Sequence, residues 1–207
     1  MEHYFSEQPT SLFIKEKFET EVLGDKVIIN SGSGLFSLKK PDFGSELLIK
    51  TFKLPDTLSD DKKTNLEVLD LGCGYGIIGI TLKKHYPDIN VTMIDVNDRA
   101  IQLSKKNCDE NDTECLVIKS DIFANPVLKD KKFDMILTNP PFSAGKKVCI
   151  EFIKQSFEHL NARGVLEVVA PHNKGGESLK KIMQETFDNV DELAKKRGYR
   201  VYSSAKK

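Results

Sequence analysis

Hydrophobic positions along the chain switch repeatedly between the every-other-residue period of strands and the three-and-four period of helices. Residues 17–23 (K-F-E-T-E-V-L) partly alternate, Gly24-Asp25 follows, and Val27, Ile28 and Ile29 resume the run. That pattern predicts a hairpin with a tight turn. The S-G-S-G at 31–34 ends it, and 43–52 predicts a short helix with Leu47, Leu48 and Phe52 on one side. A polar, proline-containing connector at 54–65 then sets an N-terminal appendage, 1–60, apart from a core, 61–207, within one domain. The first ten residues read as loose.

From residue 66 the pattern is regular. Strands are predicted at 66–71, 91–94, 115–118, 133–137 and 165–169, and helices at 77–85, 99–110, 147–160 and 179–187. The stretch 190–203 reads as a closing pair of strands around a Gly198 turn. Strands alternating with helices over short connections predict an α/β sheet of mostly parallel strands with right-handed crossovers. Ligands of such sheets sit beyond the carboxyl ends of the strands, near the switch point. Asp70, Asp95, Asp121 and Asn139 all fall at or just after predicted strand ends. Four in succession mark one site.

Composition changes this picture little. With 207 residues, 39% hydrophobic and 30% charged, the chain has the balance of an ordinary globular domain. No apolar run approaches the ~18 residues of a membrane span, and the opening M-E-H-Y has no signal-peptide pattern. Cys73, Cys108, Cys115 and Cys149 form no C-x-x-C pair and have no histidine at ligand spacing. They are expected to be reduced thiols of a cytoplasmic protein, with no metal. Charge matters more. With 31 basic and 31 acidic side chains the net charge is zero, so any contact with nucleic acid must rely on a local basic patch.

The first core strand runs into D-L-G-C-G-Y-G-I-I-G at 70–79. Glycines there let the backbone approach a ligand and turn sharply into a helix. From Gly74 the same run reads G-x-G-x-x-G, with Asp95 about 20 residues on, which is also a dinucleotide fingerprint. The glycines alone therefore fit either a nicotinamide-dependent dehydrogenase or a methyltransferase. Asp70, just ahead of them, would repel a pyrophosphate and favour a cationic amino acid ligand. The tetrapeptide Asn139-Pro140-Pro141-Phe142 ends the fourth core strand, and a dinucleotide enzyme has no use for it there.

On these motifs the chain, from residue 66 to the C-terminus, resembles the class I S-adenosylmethionine-dependent methyltransferases. The resemblance implies a Rossmann-like, seven-stranded, mostly parallel sheet with an antiparallel last strand, helices on both faces and a small N-terminal hairpin and helix. It implies that Asp70, Gly72, Cys73, Gly74 and Gly76 wrap the amino acid part of the cofactor. Asp95, followed by Val96, would bind the ribose hydroxyls, and Asp121 the adenine amino group, with Ile122 or Phe123 flanking the ring. The two prolines fix φ and remove two donors. The Asn139 side-chain oxygen and the Pro140 carbonyl can then accept from one amino group and aim its lone pair, which is catalysis by positioning. Phe142 offers a face on which a base could stack, after flipping if it began in a duplex.

N-P-P-[FY] occurs in families that methylate adenine N6, cytosine N4, guanine N2 and the glutamine amide of release factors. The chain looks most like the small-domain group that includes the 16S ribosomal RNA guanine-N2 methyltransferases. Gly34, Phe36 and Ser37, then Asp42, Gly44, Ser45, Leu47 and Leu48, match that group's G-x-F-S…D-x-G-[ST]-x-x-L-L segment. Ala144-Gly145-Lys146-Lys147 matches the A-G-K-K of its single-domain members. The resemblance implies that Phe36, Asp42, Gly44 and Ser45 close over the cofactor and that ribosomal RNA is the partner. Lys39-Lys40 and Lys146-Lys147 are the phosphate candidates because they flank site elements. Lys105-Lys106 and Lys195-Lys196-Arg197 read as ordinary solvated charge. A protein glutamine methyltransferase is the alternative within the class.

Overall fold

The computed structural model describes residues 14–33, 35, 37–54 and 65–207. The predicted loose start, Gly34, Phe36 and most of the polar connector lie outside the described residues.

The N-terminal hairpin pairs β1 (Lys15–Val22) with β2 (Asp25–Gly32), antiparallel, with Val22 opposite Asp25. Its turn is Leu23-Gly24, one residue earlier than the sequence pattern suggested. Both residues have positive φ, 57° and 86°, the combination whose twist matches a two-residue hairpin loop. Helix α1 (Phe43–Thr51) follows. The core then alternates: β3 (Glu67–Leu71), α2 (Ile77–His85), β4 (Asn90–Asp95), α3 (Asp98–Glu110), β5 (Cys115–Lys119), β6 (Phe133–Thr138), α4 (Lys146–His159), β7 (Leu160–Pro171), α5 (Gly176–Phe187), β8 (Asp191–Lys196) and β9 (Tyr199–Ala205). Strand β7 is longer than the predicted 165–169. It follows α4 directly, and its polar start is paired through a register irregularity between Phe133 and Met135 of β6.

The seven strands lie in the order β5-β4-β3-β6-β7-β9-β8. The first five are parallel, β9 runs antiparallel to β7, and β8 antiparallel to β9. The fold is thus the Rossmann-like sheet that the resemblance implies, and chain order reverses between β3 and β6, where a crevice opens. Successive core residues of one strand face opposite ways. Val68, Met93, Leu137 and Val201 join α1, α2 and α3 in one cluster, whereas Leu69, Ile94, Leu166 and Tyr202 join α4 and α5 in the other. The hairpin shares the first cluster, with Val27 and Ile29 fully buried.

Two asparagines of α3 attach β2 to this core. Asn111 accepts from the Ile28 N–H (2.9 Å) and donates to the Ile28 carbonyl (2.7 Å). One turn earlier, Asn107 accepts from the Asn30 N–H (2.7 Å) and donates to the Asn30 carbonyl (3.0 Å). Spaced i, i+4 on the helix, the two amides meet alternate residues of the strand as a neighbouring strand would. Helix α3 thereby satisfies backbone groups that an open sheet edge would expose. Asn107 is fully buried, so its removal strands several polar groups. Asn107→Ala should destabilise the protein by about 3 kcal/mol in urea unfolding; a loss below about 1 kcal/mol would mean that the seam is incidental.

Glu167, at the centre of β7, is 4% exposed, and its Oε2 has no hydrogen-bond partner. Burial pushes its carboxyl up to about 7. A carboxyl raised on folding is favoured while neutral. Stability from this site is therefore highest below the unfolded value near 4.5 and falls as pH rises through 7. Glu167→Gln should unfold at higher urea than the parent at pH 8, by up to about 3 kcal/mol, and the difference should vanish as pH falls below the unfolded value near 4.5. A pH-independent difference would contradict this.

Candidate active site

The crevice at the switch point holds a cavity of about 270 Å³. Its floor is the loop between β3 and α2, where Gly72, Gly74 and Gly76 all have positive φ, 74°, 58° and 88°, conformations that side chains resist. Every turn of this loop is tied down. The N–H groups of Gly72 and Cys73 share the Ile94 carbonyl, both at 2.9 Å. The Gly74 N–H donates to Asp95 Oδ2 (2.9 Å) and the Gly74 carbonyl accepts from Ser104 Oγ (2.8 Å). The Tyr75 carbonyl accepts from Asn107 Nδ2 (2.8 Å). The same Asn107 therefore holds both the hairpin and the glycine loop.

Asp70, expected to favour a cationic ligand by its charge, does not reach the cavity wall. It is 1% exposed. Its Oδ2 accepts from the Gly79 N–H (3.0 Å) in the first turn of α2. The N-cap position of that helix is Gly76, which has no side chain to cap with. Asp70 supplies the missing acceptor from across the loop. Gly79 itself has no room for a side chain: a Cβ there would lie 2.5 Å from Met93 Sδ. Burial, with a further contribution from the Asp95 charge, pushes the Asp70 carboxyl up to about 7.

Asp95 does line the cavity. Burial raises its carboxyl, opposed by N–H donors from Asn97, Gly74 and Val96. Val96, Ser120, Asp121 and Ile122 continue the wall. Ile122 has φ +51°, a conformation that costs a residue with a Cβ about 1–2 kcal/mol. Phe123 is buried behind it, stacked on His159.

On the opposite wall, the first turn of α1 meets the end of β6. Asp42 caps α1 by accepting from the Ser45 N–H (3.0 Å). Asn139 Nδ2 donates to the same Asp42 oxygen (3.0 Å) and to Ser45 Oγ (3.1 Å). Both amide protons are thus used, and Oδ1 remains the open acceptor of a side chain that lines the cavity. Gly44 makes the approach possible: a Cβ there would sit 3.0 Å from Asp42 Oδ1, 3.1 Å from Tyr199 Cε1 and 3.3 Å from Asn139 Nδ2.

After Asn139 the chain makes a tight turn in which the Phe142 N–H donates to the Pro140 carbonyl (2.9 Å), so one lone pair of that carbonyl is engaged. Pro141 lines the cavity, whereas Pro140 and Phe142 do not; Phe142 packs instead near Gly175. Of the other predicted site residues, Gly72, Cys73, Gly74, Asp42 and Ser45 line the cavity, whereas Gly44 and Gly76 stand behind it. Lys39, Lys40, Lys146 and Lys147 are exposed and lie within a few residues, along the chain, of the lining residues Asp42, Ala144 and Val148. The sequence reading missed Ser104 and Asn107, although polar residues within the apolar stripe of α3 were the available signal. It also missed Tyr199, which only the β7–β9 pairing brings to Gly44. Among the described residues no cluster of His, Cys, Asp or Glu could hold a metal, and no helix is long and apolar enough to cross a membrane.

The sheet order, the glycine turn at the switch point and the acid at the end of β4 define a class I S-adenosylmethionine-dependent methyltransferase. The residues fit that cofactor: an acidic acceptor for a diol in Asp95, an apolar slot between Val96 and Ile122, and a backbone floor at 72–74. The chain belongs to the methyltransferase small domain family, which matches residues 26–203. It is 39% identical over 206 residues to the uncharacterized protein YbxB of Bacillus subtilis, covering 99% of this chain and 98% of that one. It is 34% identical to the ribosomal RNA small subunit methyltransferase C of Haemophilus influenzae, over 86% of this chain and 51% of that protein. Among solved structures it resembles the T. thermophilus 16S rRNA N2 G1207 methyltransferase (RsmC), in complex with AdoMet and guanosine. The TM-score is 0.78 at 24% identity, covering 96% of this chain and 52% of that one. The chain thus spans about half the length of the ribosomal RNA methyltransferases it matches. Family membership excludes the dehydrogenase reading of the glycines.

If Asp70 acts through the loop rather than by its charge, Asp70→Asn, which keeps an acceptor for Gly79, should hold the affinity for S-adenosylhomocysteine within about threefold. Asp70→Ala, which removes the cap, should weaken it by about tenfold or more. Calorimetry checks both, and equal losses in the two variants would restore the direct electrostatic role.

Proposed function

We propose that this methyltransferase transfers a methyl group to an amino nitrogen, the exocyclic N2 of a guanine in small-subunit ribosomal RNA. The observation that carries the nitrogen acceptor is the amide of Asn139. With Nδ2 held by Asp42 and Ser45, its Oδ1 is fixed as an acceptor at the cavity wall, and an acceptor there selects a substrate group that bears hydrogens. The guanine and the ribosomal RNA are supported by the named relatives and by the Gly34–Leu48 segment shared with their group.

Bound S-adenosylmethionine supplies an electrophilic methyl carbon on a cationic sulfur. Asp95 takes the ribose hydroxyls, Asp121 the adenine amino group, and Val96 and Ile122 the faces of the ring. The loop 72–76, with Cys73, Asp42 and Ser45, holds the amino acid part, and Gly44 admits the close packing behind it. Phe36 belongs to the same segment by sequence. At the acceptor end, Asn139 Oδ1 and the free lone pair of the Pro140 carbonyl receive the two amino hydrogens, which turns the nitrogen lone pair toward the methyl carbon. The Pro140–Phe142 turn keeps that carbonyl rigid. Transfer would break the S–CH3 bond, leave S-adenosylhomocysteine as a neutral thioether and let the methylated nitrogen give one proton to water, so no strong base is required. Outside the cavity wall, beside Gly175, Phe142 offers a face to the base, and Lys39, Lys40, Lys146 and Lys147 offer charge to its phosphates.

Asn139→Ala should lower methyl transfer from labelled cofactor to small-subunit RNA by about 100-fold or more while binding of S-adenosylhomocysteine stays within about threefold. Label carried by a release-factor glutamine and not by RNA would replace the proposed substrate. Unchanged transfer in the variant would remove Asn139 from the chemistry.

A further inference from the structure

Strand β8 carries its charge in two blocks. Asp191 and Glu192 open it, and Lys195, Lys196 and then Arg197 close it. The pairings fix where each block lies. Lys196 is opposite Tyr199 on β9, and Tyr199 is opposite Pro171 at the carboxyl end of β7. The carboxyl ends of the parallel strands carry the cavity, so the basic block stands at the cavity end of the sheet and the acidic block at the other.

The turn is firmly seated there. The His172 N–H donates to the Gly198 carbonyl (2.9 Å). The Arg197 guanidinium lies over the Phe43 ring, 5.2 Å from its centroid, and Tyr199 meets the same ring edge-on at 5.6 Å. Phe43 is the first residue of α1, beside Asp42, so the turn abuts the segment that holds Asn139. Lys195 and Lys196 are exposed, and among the described residues they form no ion pair, whereas their neighbour Arg200 is paired with Glu192 at 3.1 Å. In a chain of zero net charge, this is a local positive edge at the cavity end of the sheet, against the first residue of α1.

We propose that the β8–β9 turn, through Lys195, Lys196 and Arg197, binds the sugar–phosphate backbone of the RNA strand that presents the target base. The inference rests on RNA being the substrate. Phosphate contacts of this kind hold a strand in register without reading its sequence. Their contribution is electrostatic and falls with salt. Arg197 also packs against α1, so the two lysines are the cleaner test.

The experiment compares the full-length Lys195→Ala/Lys196→Ala variant with a control, Lys26→Ala/Lys84→Ala. The control residues are exposed at the far end of the sheet, near the contact of Asp25 with His85 at 2.7 Å. Binding of a fluorescent single-stranded fragment of small-subunit ribosomal RNA is followed by anisotropy between 50 and 200 mM salt, alongside methyl transfer. The β8 variant should weaken RNA binding about tenfold at the lower salt and flatten the plot of log K against log salt by about 1.4, two contacts at ~0.7 each. KM for RNA should rise with kcat and S-adenosylhomocysteine affinity within about twofold. A change no larger than the control's, or no salt-dependent RNA binding by the parent chain, overturns the proposal. RNA that binds through the turn but accepts no methyl group would leave this assignment standing and defeat the proposed reaction instead.

Discussion

One carboxylate oxygen joins the two halves of the active site. Asp42 Oδ1 accepts from the Ser45 N–H, which starts α1, and from Asn139 Nδ2, which ends β6, both at 3.0 Å. The first bond fixes a helix on one side of the crevice; the second orients the one amide whose oxygen is left for a substrate. Neither element could do this alone. Asn139 without Asp42 and Ser45 would present either end of its amide to the cavity, and α1 without Asn139 would have only packing to set its distance from the sheet. Gly44 is the condition for the contact, because a side chain there would crowd Asp42, Asn139 and Tyr199.

The cofactor wall is built on the same plan, with buried polar side chains closing backbone groups that lie far away in sequence. Asp70 caps a helix whose own N-cap is glycine, Asp95 holds the loop while facing the cavity, and Ser104 and Asn107 take up loop carbonyls. A loop tied at several points before ligand arrives keeps its shape, which lowers the ordering cost of binding. Because Asn107 also bonds to β2, the N-terminal hairpin supports the loop through α3, and Phe18 adds an edge-on contact with Tyr75 at 6.1 Å.

The elements themselves were readable from the chain because their periods are local: the strands and helices of the core recur at two and at three-to-four residues. The strand-end rule located Asp95, Asp121 and Asn139 without any tertiary information. What could not be read was side-chain direction. Asp70 is one residue short of the end of β3, and that single step sends its carboxyl toward α2 instead of the cavity. Asn30 and Asn107 are 77 residues apart, and Tyr199 reaches Gly44 only once β9 has paired with β7. The basic end of β8 looks like ordinary surface charge until that pairing shows which end of the sheet it occupies.

The central claim is that Asn139 offers its oxygen to a substrate nitrogen while its own nitrogen stays on Asp42 and Ser45. It is tested most directly by a crystal structure of the protein with S-adenosylhomocysteine and guanosine. The account predicts Asn139 Oδ1 at about 3 Å from the exocyclic amino nitrogen, with both Nδ2 contacts retained. An amide turned to face the ligand through Nδ2, or an amino group bonded elsewhere, would contradict it.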